Sequence, residues 1–251
     1  MYIKQCFKSL IICLLSSFLI GELSKPISIL EKSINKFNDQ NISFICDLKL
    51  QSLSSQPIHF NFNFYSYALD SLEQYSYIKF NSPIDYKDIE LWSYYGKQTL
   101  ITKRMPINNQ IIKIEENSEN TDIVNFFNFI KIFKDIKNSN FSINETTFND
   151  QDIYLIKTLN STKNKKSVKF YIDKLDLSIY KIEWTNRRGA LNKILSFHNW
   201  ILINDKIFPS KVIYENIKKG SKSTFELSKI ELNKLDQSII DLIMIGLFSD
   251  D

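Results

Sequence analysis

His59-Phe60-Asn61-Phe62-Asn63-Phe64-Tyr65 places three phenylalanines at alternate positions with polar residues between them. A side-chain period of two marks a β-strand with one face in a core, because successive Cβ atoms point to opposite sides of the pleat. The earlier stretch Phe44-Ile45-Cys46-Asp47-Leu48-Lys49-Leu50 puts its apolar even positions on the same period. Working outward, strands are expected at residues 75–80, 88–95, 98–103 and 110–115, and again at 153–159, 168–173, 178–184, 193–202, 211–216 and 224–232. Turn-forming clusters separate them, among them Asn81-Ser82-Pro83, Asn186-Arg187-Arg188-Gly189 and Asn204-Asp205-Lys206. Strands this close in sequence favour an antiparallel meander.

Two segments break the period. Ile27, Leu30, Ile34 and Phe37 recur at helical spacing with Lys32, Asn35 and Lys36 between them, which predicts a helix over residues 27–38. Thr121-Asp122 is a candidate N-cap for a second helix over 123–136, with a wide apolar face of Ile123, Phe126, Phe127, Ile130, Phe133 and Ile136. Helix, strand run, helix, strand run is the plan of a mainly β protein: one strongly curved antiparallel sheet whose apolar face is covered by the two helices. The last apolar segment, residues 239–248, is too short to cross a membrane and is expected to pack on the sheet.

Composition narrows the function. The chain has 251 residues, 43% hydrophobic and 24% charged, with 19 Phe and 12 Tyr against only 5 Gly and 5 Pro. That is a folded chain without flexible linkers. Lys4 and Lys8 precede the apolar run Leu10 to Ile20, the layout of a secretory signal. The expected organisation is a signal peptide over residues 1–21 and a single domain over 22–251. Cys13 offers a poor lipidation site, since apolar residues continue after it; a soluble exported product is expected. With Cys6 and Cys13 in the signal, only Cys46 remains and no internal disulfide can form. The net charge of +4, half of it from Lys4 and Lys8, is too small to argue for nucleic acid. His59 and His198 have no nucleophile or orienting acid at a recognisable spacing, and no phosphate loop, zinc motif or nucleophile elbow occurs. The chain is therefore expected not to be an enzyme, and to need no cofactor or metal.

The order of elements resembles a known family. Tyr77-Ile78-Lys79-Phe80-Asn81-Ser82-Pro83 followed by Leu91-Trp92-Ser93-Tyr94-Tyr95 resembles the outer-membrane lipoprotein-sorting proteins typified by LolA. So does the later series Phe170-Tyr171-Ile172-Asp173-Lys174, Lys181-Ile182-Glu183-Trp184, Ile207-Phe208-Pro209 and Ser223-Thr224-Phe225-Glu226-Leu227. The resemblance implies a half-open β-barrel with a helical lid. It implies a soluble, monomeric periplasmic carrier that takes acylated lipoproteins from an inner-membrane releasing transporter to an outer-membrane acceptor. A carrier or sensor of phospholipid or glycolipid on the same fold, and a membrane-anchored receptor, are the alternatives. An arginine inside the barrel that holds the lid shut is a family feature for which Arg104 is the nearest candidate here.

The cavity wall is expected at Phe44, Cys46, Leu48, Phe60, Phe62, Phe64 and Trp92. The lid is expected at Leu30, Ile34, Phe126, Phe127, Ile130 and Phe133. Phe127→Glu and Phe133→Glu should each abolish uptake of a lipid cargo while leaving the far-ultraviolet circular dichroism of the sheet unchanged; normal uptake by both variants would remove the second helix from the site.

Overall fold

The computed structural model describes residues 25–34, 36, 41–53, 55–69, 73–95, 99–104, 111–113, 140–159 and 167–248. Helix α1 (residues 25–34) opens the described chain. The strands follow in order: β1 (Ile42–Ser52), β2 (Ser55–Ala68), β3 (Gln74–Ser82), β4 (Glu90–Tyr95), β5 (Thr99–Arg104), β6 (Ile111–Lys113), β7 (Asn140–Phe148), β8 (Gln151–Leu159), β9 (Ser167–Asp173), β10 (Ile179–Thr185), β11 (Leu191–Ile203), β12 (Lys206–Asn216) and β13 (Ser221–Leu232). Helix α2 (Gln237–Phe248) closes it.

The thirteen strands among the described residues form one antiparallel sheet in the order β6-β5-β4-β3-β2-β1-β13-β12-β11-β10-β9-β8-β7. Two meanders thus meet where β1 pairs with β13, joining residues nearly two hundred positions apart, as in Cys46 opposite Leu227. Among the described residues no ladder joins β6 to β7, so the sheet is open. Two tight hairpins lie where the strand twist demands left-handed residues: Asn149-Asp150 between β7 and β8, and Asn204-Asp205 between β11 and β12, all four at positive φ. Strand β7 lies in the stretch the sequence left without an element. Its polar residues Asn144, Glu145, Thr146 and Thr147 mask its period, and only Phe141 on it is buried.

Helix α1 begins two residues before the expected Ile27 and buries the expected stripe at Leu30 and Ile34; Phe37 lies outside the described residues. Pro26 sits in its first turn, where the missing N–H costs nothing. Ile29, Leu30, Ser33 and Ile34 are buried, and the Ser33 hydroxyl donates to the Ile29 carbonyl at 2.8 Å. The expected second helix, with Phe126, Phe127, Ile130 and Phe133, lies outside the described residues.

The turn between β9 and β10 is built on one carboxylate. Asp173 accepts the N–H of Leu175 at 2.7 Å and of Asp176 at 3.0 Å, and the Tyr180 hydroxyl at 2.7 Å. Burial pushes its pKa up, but the hydrogen bonds from the Asp176 backbone, the Tyr180 hydroxyl and the Leu175 backbone outweigh it and hold the group below its usual value of 3.8. A lowered native pKa means that the folded state binds fewer protons than the unfolded chain as pH falls, so the stabilisation is present above that range and lost below it. Asp173→Ala should cost about 1–3 kcal/mol in urea melts at neutral pH, since it leaves three donors without their acceptor. The gap from wild type should close as pH falls below 3.8. A gap independent of pH would assign the loss to packing instead.

Candidate functional site

Register decides which side chains share a face, and it assembles one apolar belt across the sheet. Phe80, Phe62, Cys46 and Leu227 stand opposite one another on β3, β2, β1 and β13. Phe60, Leu48, Phe225, Val212 and Phe197 form the next row across β2, β1, β13, β12 and β11. Leu195, Ile182, Phe170, Ile156 and Ile143 continue the wall from β11 to β7. These residues belong to one contiguous cluster together with Ile29, Leu30 and Ile34 of α1. Phe44 and Phe64 stack with ring centroids 4.7 Å apart. The charged side chains that are buried among the described residues, Glu90 and Asp173, stand outside these rows.

Six of the seven expected wall residues lie in this belt: Phe44, Cys46, Leu48, Phe60, Phe62 and Phe64, none more than 7% exposed. Leu30 and Ile34 join them from α1. Trp92 does not. On β4 it is Leu91 that pairs with Ile78 and enters the belt, and Trp92, one residue on, faces the other way. There it packs with Tyr75, Tyr77 and Ile243 in a second cluster under α2. Its indole N–H donates to the Leu242 carbonyl at 3.1 Å, and its ring lies 5.2 Å from that of Tyr77. Arg104 shares that face, since its guanidinium stacks 5.6 Å from the Trp92 ring and pairs with Glu90. Glu90, buried, also accepts the Tyr77 hydroxyl at 2.6 Å; burial first and that hydrogen bond second push the tyrosine pKa up. Arg104 therefore buttresses the α2 side of the sheet and does not enter the belt.

Sequence reasoning missed a polar corner in the wall. Ser66, Ser76 and Ser93 stand opposite one another on β2, β3 and β4, with Gln74 beside them, on the same face as Phe64, Ile78 and Leu91. All four are at most 5% exposed. Serine alternating with apolar residues carries no signal that separates a corner of this kind from a solvent-facing edge. The Gln74 Nε2 donates to Ser66 Oγ at 2.8 Å, whereas Gln74 Oε1 and Ser93 Oγ have no partner among the described residues. Each such orphan costs about 1–3 kcal/mol.

The opposite face of β1, β2, β12 and β13 is polar and holds a groove of about 450 Å³. Asp47, Lys49, His59, Asn61, Lys211 and Glu226 line it. Lys211 pairs with Glu226 at 3.1 Å and Asn61 donates to Asp47 at 2.7 Å. His198, nearby, meets Ser196 Oγ at 2.9 Å. Burial, then Lys211 and Lys222, lower its pKa, and no carboxylate orients the ring, so the pair has no acid to complete a triad. No group of three or more metal-ligating side chains occurs among the described residues. No described helix is long and apolar enough to cross a membrane.

Residues 73–241, two thirds of the chain, match a family described as "-like: Uncharacterized protein". The chain belongs to that family. No curated protein matches it in sequence. Solved structures supply the fold. A domain described as an outer-membrane lipoprotein-sorting protein from Vibrio parahaemolyticus is 16% identical, with a TM-score of 0.64 over 86% of this chain and 99% of its own. A DUF1329 family protein from Desulfovibrio piger is 14% identical with a TM-score of 0.73, over 88% of this chain and 99% of its own. A LolA superfamily protein from Nitrosomonas europaea is 16% identical with a TM-score of 0.61, over 84% of this chain and 95% of its own. The fold is LolA-like, in agreement with the resemblance read from Tyr77–Tyr95 and the later motifs.

The belt makes a chemical prediction through its one thiol. Cys46 is fully buried, and burial, followed by the charge of Asp47, pushes its pKa well up. In a variant with Cys6 and Cys13 replaced by serine, the thiol should resist an aqueous disulfide reagent at about pH 8, where an exposed thiol is partly ionised. It should react stoichiometrically in denaturant. Rapid reaction of the folded protein would show that the belt opens to water.

Proposed function

We propose that this protein is a carrier for acylated lipoproteins in the periplasm, exported by the signal at residues 1–21, in which the belt face receives the acyl chains. The belt is the observation that supports the reading: a continuous wall of Phe, Ile, Leu and Val from β3 to β7, with no buried charge in its rows, on one face of a single sheet. Its likeness to the lipoprotein-sorting domain and to the LolA superfamily protein fits the same reading. Each acyl CH₂ removed from water contributes about 0.8 kcal/mol, so a wall able to cover one chain supplies the main part of the binding energy. Phe44, Cys46, Leu48, Phe60, Phe62 and Phe64 form the wall in this reading, and Leu30, Ile34, Phe126, Phe127, Ile130 and Phe133 cover it. A releasing transporter in the inner membrane and an acceptor at the outer membrane complete the route, with the carrier acting as a monomer and without a cofactor.

Mass spectrometry of the protein purified gently from its native envelope, intact and after organic extraction, tests this. Co-purifying acylated peptides on an unmodified chain beginning near Glu22 are the expected result. Cys46→Glu, which buries a charge in the belt, should remove them, and Lys49→Glu on the opposite face should not. Free phospholipid or glycolipid alone would redirect the proposal to another lipid, a lipid covalently held at Cys13 would make the protein an anchored receptor, and an empty chain would sink it.

A further inference from the structure

The polar corner of the belt is more than a flaw in an apolar wall. Ser66 Oγ is saturated, since it accepts from Gln74 Nε2 at 2.8 Å, lies 3.5 Å from Ser76 Oγ and donates to the Tyr75 carbonyl at 3.3 Å. What the corner leaves over is one acceptor, Gln74 Oε1, and one hydroxyl able to donate, Ser93 Oγ. Both residues are more than nine-tenths buried, Gln74 at 3% and Ser93 at 0% exposure, so bulk water does not satisfy them. Ser93 stands opposite Ser76 and Tyr95 opposite Gln74, which makes Gln74 and Ser93 diagonal neighbours on adjacent strands. Diagonal neighbours on one face lie about 7–8 Å apart. A secondary amide presents an N–H and a C=O in opposite directions, so a single group carries the donor that one orphan lacks and the acceptor that the other lacks.

We infer that Gln74 and Ser93 form a subsite for a secondary amide at the head of an acyl chain, the Gln74 oxygen accepting the amide N–H and the Ser93 hydroxyl donating to its carbonyl. The ligand class is therefore an N-acyl amide in preference to an acyl ester. An ester carries acceptors only, so it would engage Ser93 and leave Gln74 Oε1 unmet. The inference rests on the carrier reading for the hydrocarbon part of the ligand and adds the linkage that the wall selects. Ser76 belongs to the corner but offers nothing to the ligand, since its hydroxyl is turned to Ser66.

Displacement of a bound polarity-sensitive dye from the full chain by N-methyldodecanamide, methyl dodecanoate and dodecane provides the test. Wild type should bind the amide about tenfold more tightly than the ester, the value of one additional hydrogen bond made in a dry site. Gln74→Leu should erase most of that preference, Ser93→Ala should weaken amide and ester alike, dodecane should displace dye from both variants as from wild type, and Ser76→Ala should leave all three unchanged. Dodecane binding in each variant also reports that its wall has folded. Equal binding of amide and ester by wild type, an undiminished preference in Gln74→Leu, or unchanged binding of both ligands by Ser93→Ala overturns the subsite and leaves the carrier standing. If dodecane displaces no dye from wild type, the carrier reading falls and the subsite falls with it.

Discussion

A sheet one layer thick has no second sheet to hide behind. Strands β1 to β3 and β8 to β13 put large apolar side chains on one face, and exposing that face would cost roughly 1.5–3 kcal/mol for each side chain returned to water. The rest of the molecule answers this constraint. Phe62, Phe170, Ile156 and Ile182 are fully buried, and among the described residues helix α1 packs into the same cluster. Helix α1 contributes Ile29, Leu30 and Ile34 to the cover and is tied toward the β7 edge, where Lys25 reaches Glu145 at 3.9 Å and stands 5.8 Å from the Tyr154 ring. Such exposed pairs add little stability. What holds the helix is the apolar stripe.

The other face is solved differently along its length. Over β2, β3 and β4 the side chains are aromatic, and α2 covers them with Leu242, Ile243 and Met244. The Trp92 indole and the Tyr77 hydroxyl are the polar handles that buried aromatic rings require, and they are met by the Leu242 carbonyl and by Glu90. Over β1, β12 and β13 the same face carries cross-strand pairs such as Lys211 with Glu226 and Lys222 with Glu215. One end of the sheet is thus buried on both faces and the middle on one, which is why hydropathy along the strands changes character from β3 to β13.

That change explains what could be read from the residues. β1 and β2 were legible because their second face is polar: Asp47 and Lys49, Asn61 and Asn63 alternate with the belt, and six wall positions followed from that period. β3 and β4 were legible as strands but not in facing. Gln74 to Ile78 are buried without interruption, so no period remains to say which residues share a side. Trp92 was expected in the wall, whereas on β4 it is Leu91 that lies in the belt. The wall on β8 to β13 carries the period plainly in Phe170, Ile172, Ile182, Phe225 and Leu227, and its share of the site emerges once β1 is known to pair with β13. That pairing spans nearly the whole chain and has no local signal. The polar corner had none either, because a serine on a strand reads the same at a wet edge as in a dry wall.

In the proposed carrier role, the wall also bears on how cargo would be let go. Phe62, Cys46 and Leu48 are no more than 1% exposed, so each already touches protein atoms on its free side. A ligand gains from such a wall only the surplus of its own contacts over those it displaces, and the apparent affinity falls by the fraction of time the wall is uncovered. A rigid open trough would keep the full ~0.8 kcal/mol for every CH₂ and hold a long chain almost permanently. A sheet that covers its own belt binds more weakly and releases more readily, with nothing supplied beyond the competing side chains. The absence of buried charge from the rows of the belt would then matter twice, since no buried ion pair there would have to be broken as cargo entered or re-formed as it left. Competition between cargo and the protein's own apolar cover, in place of a specific lock, is the release device most consistent with a wall made of Phe, Ile, Leu and Val.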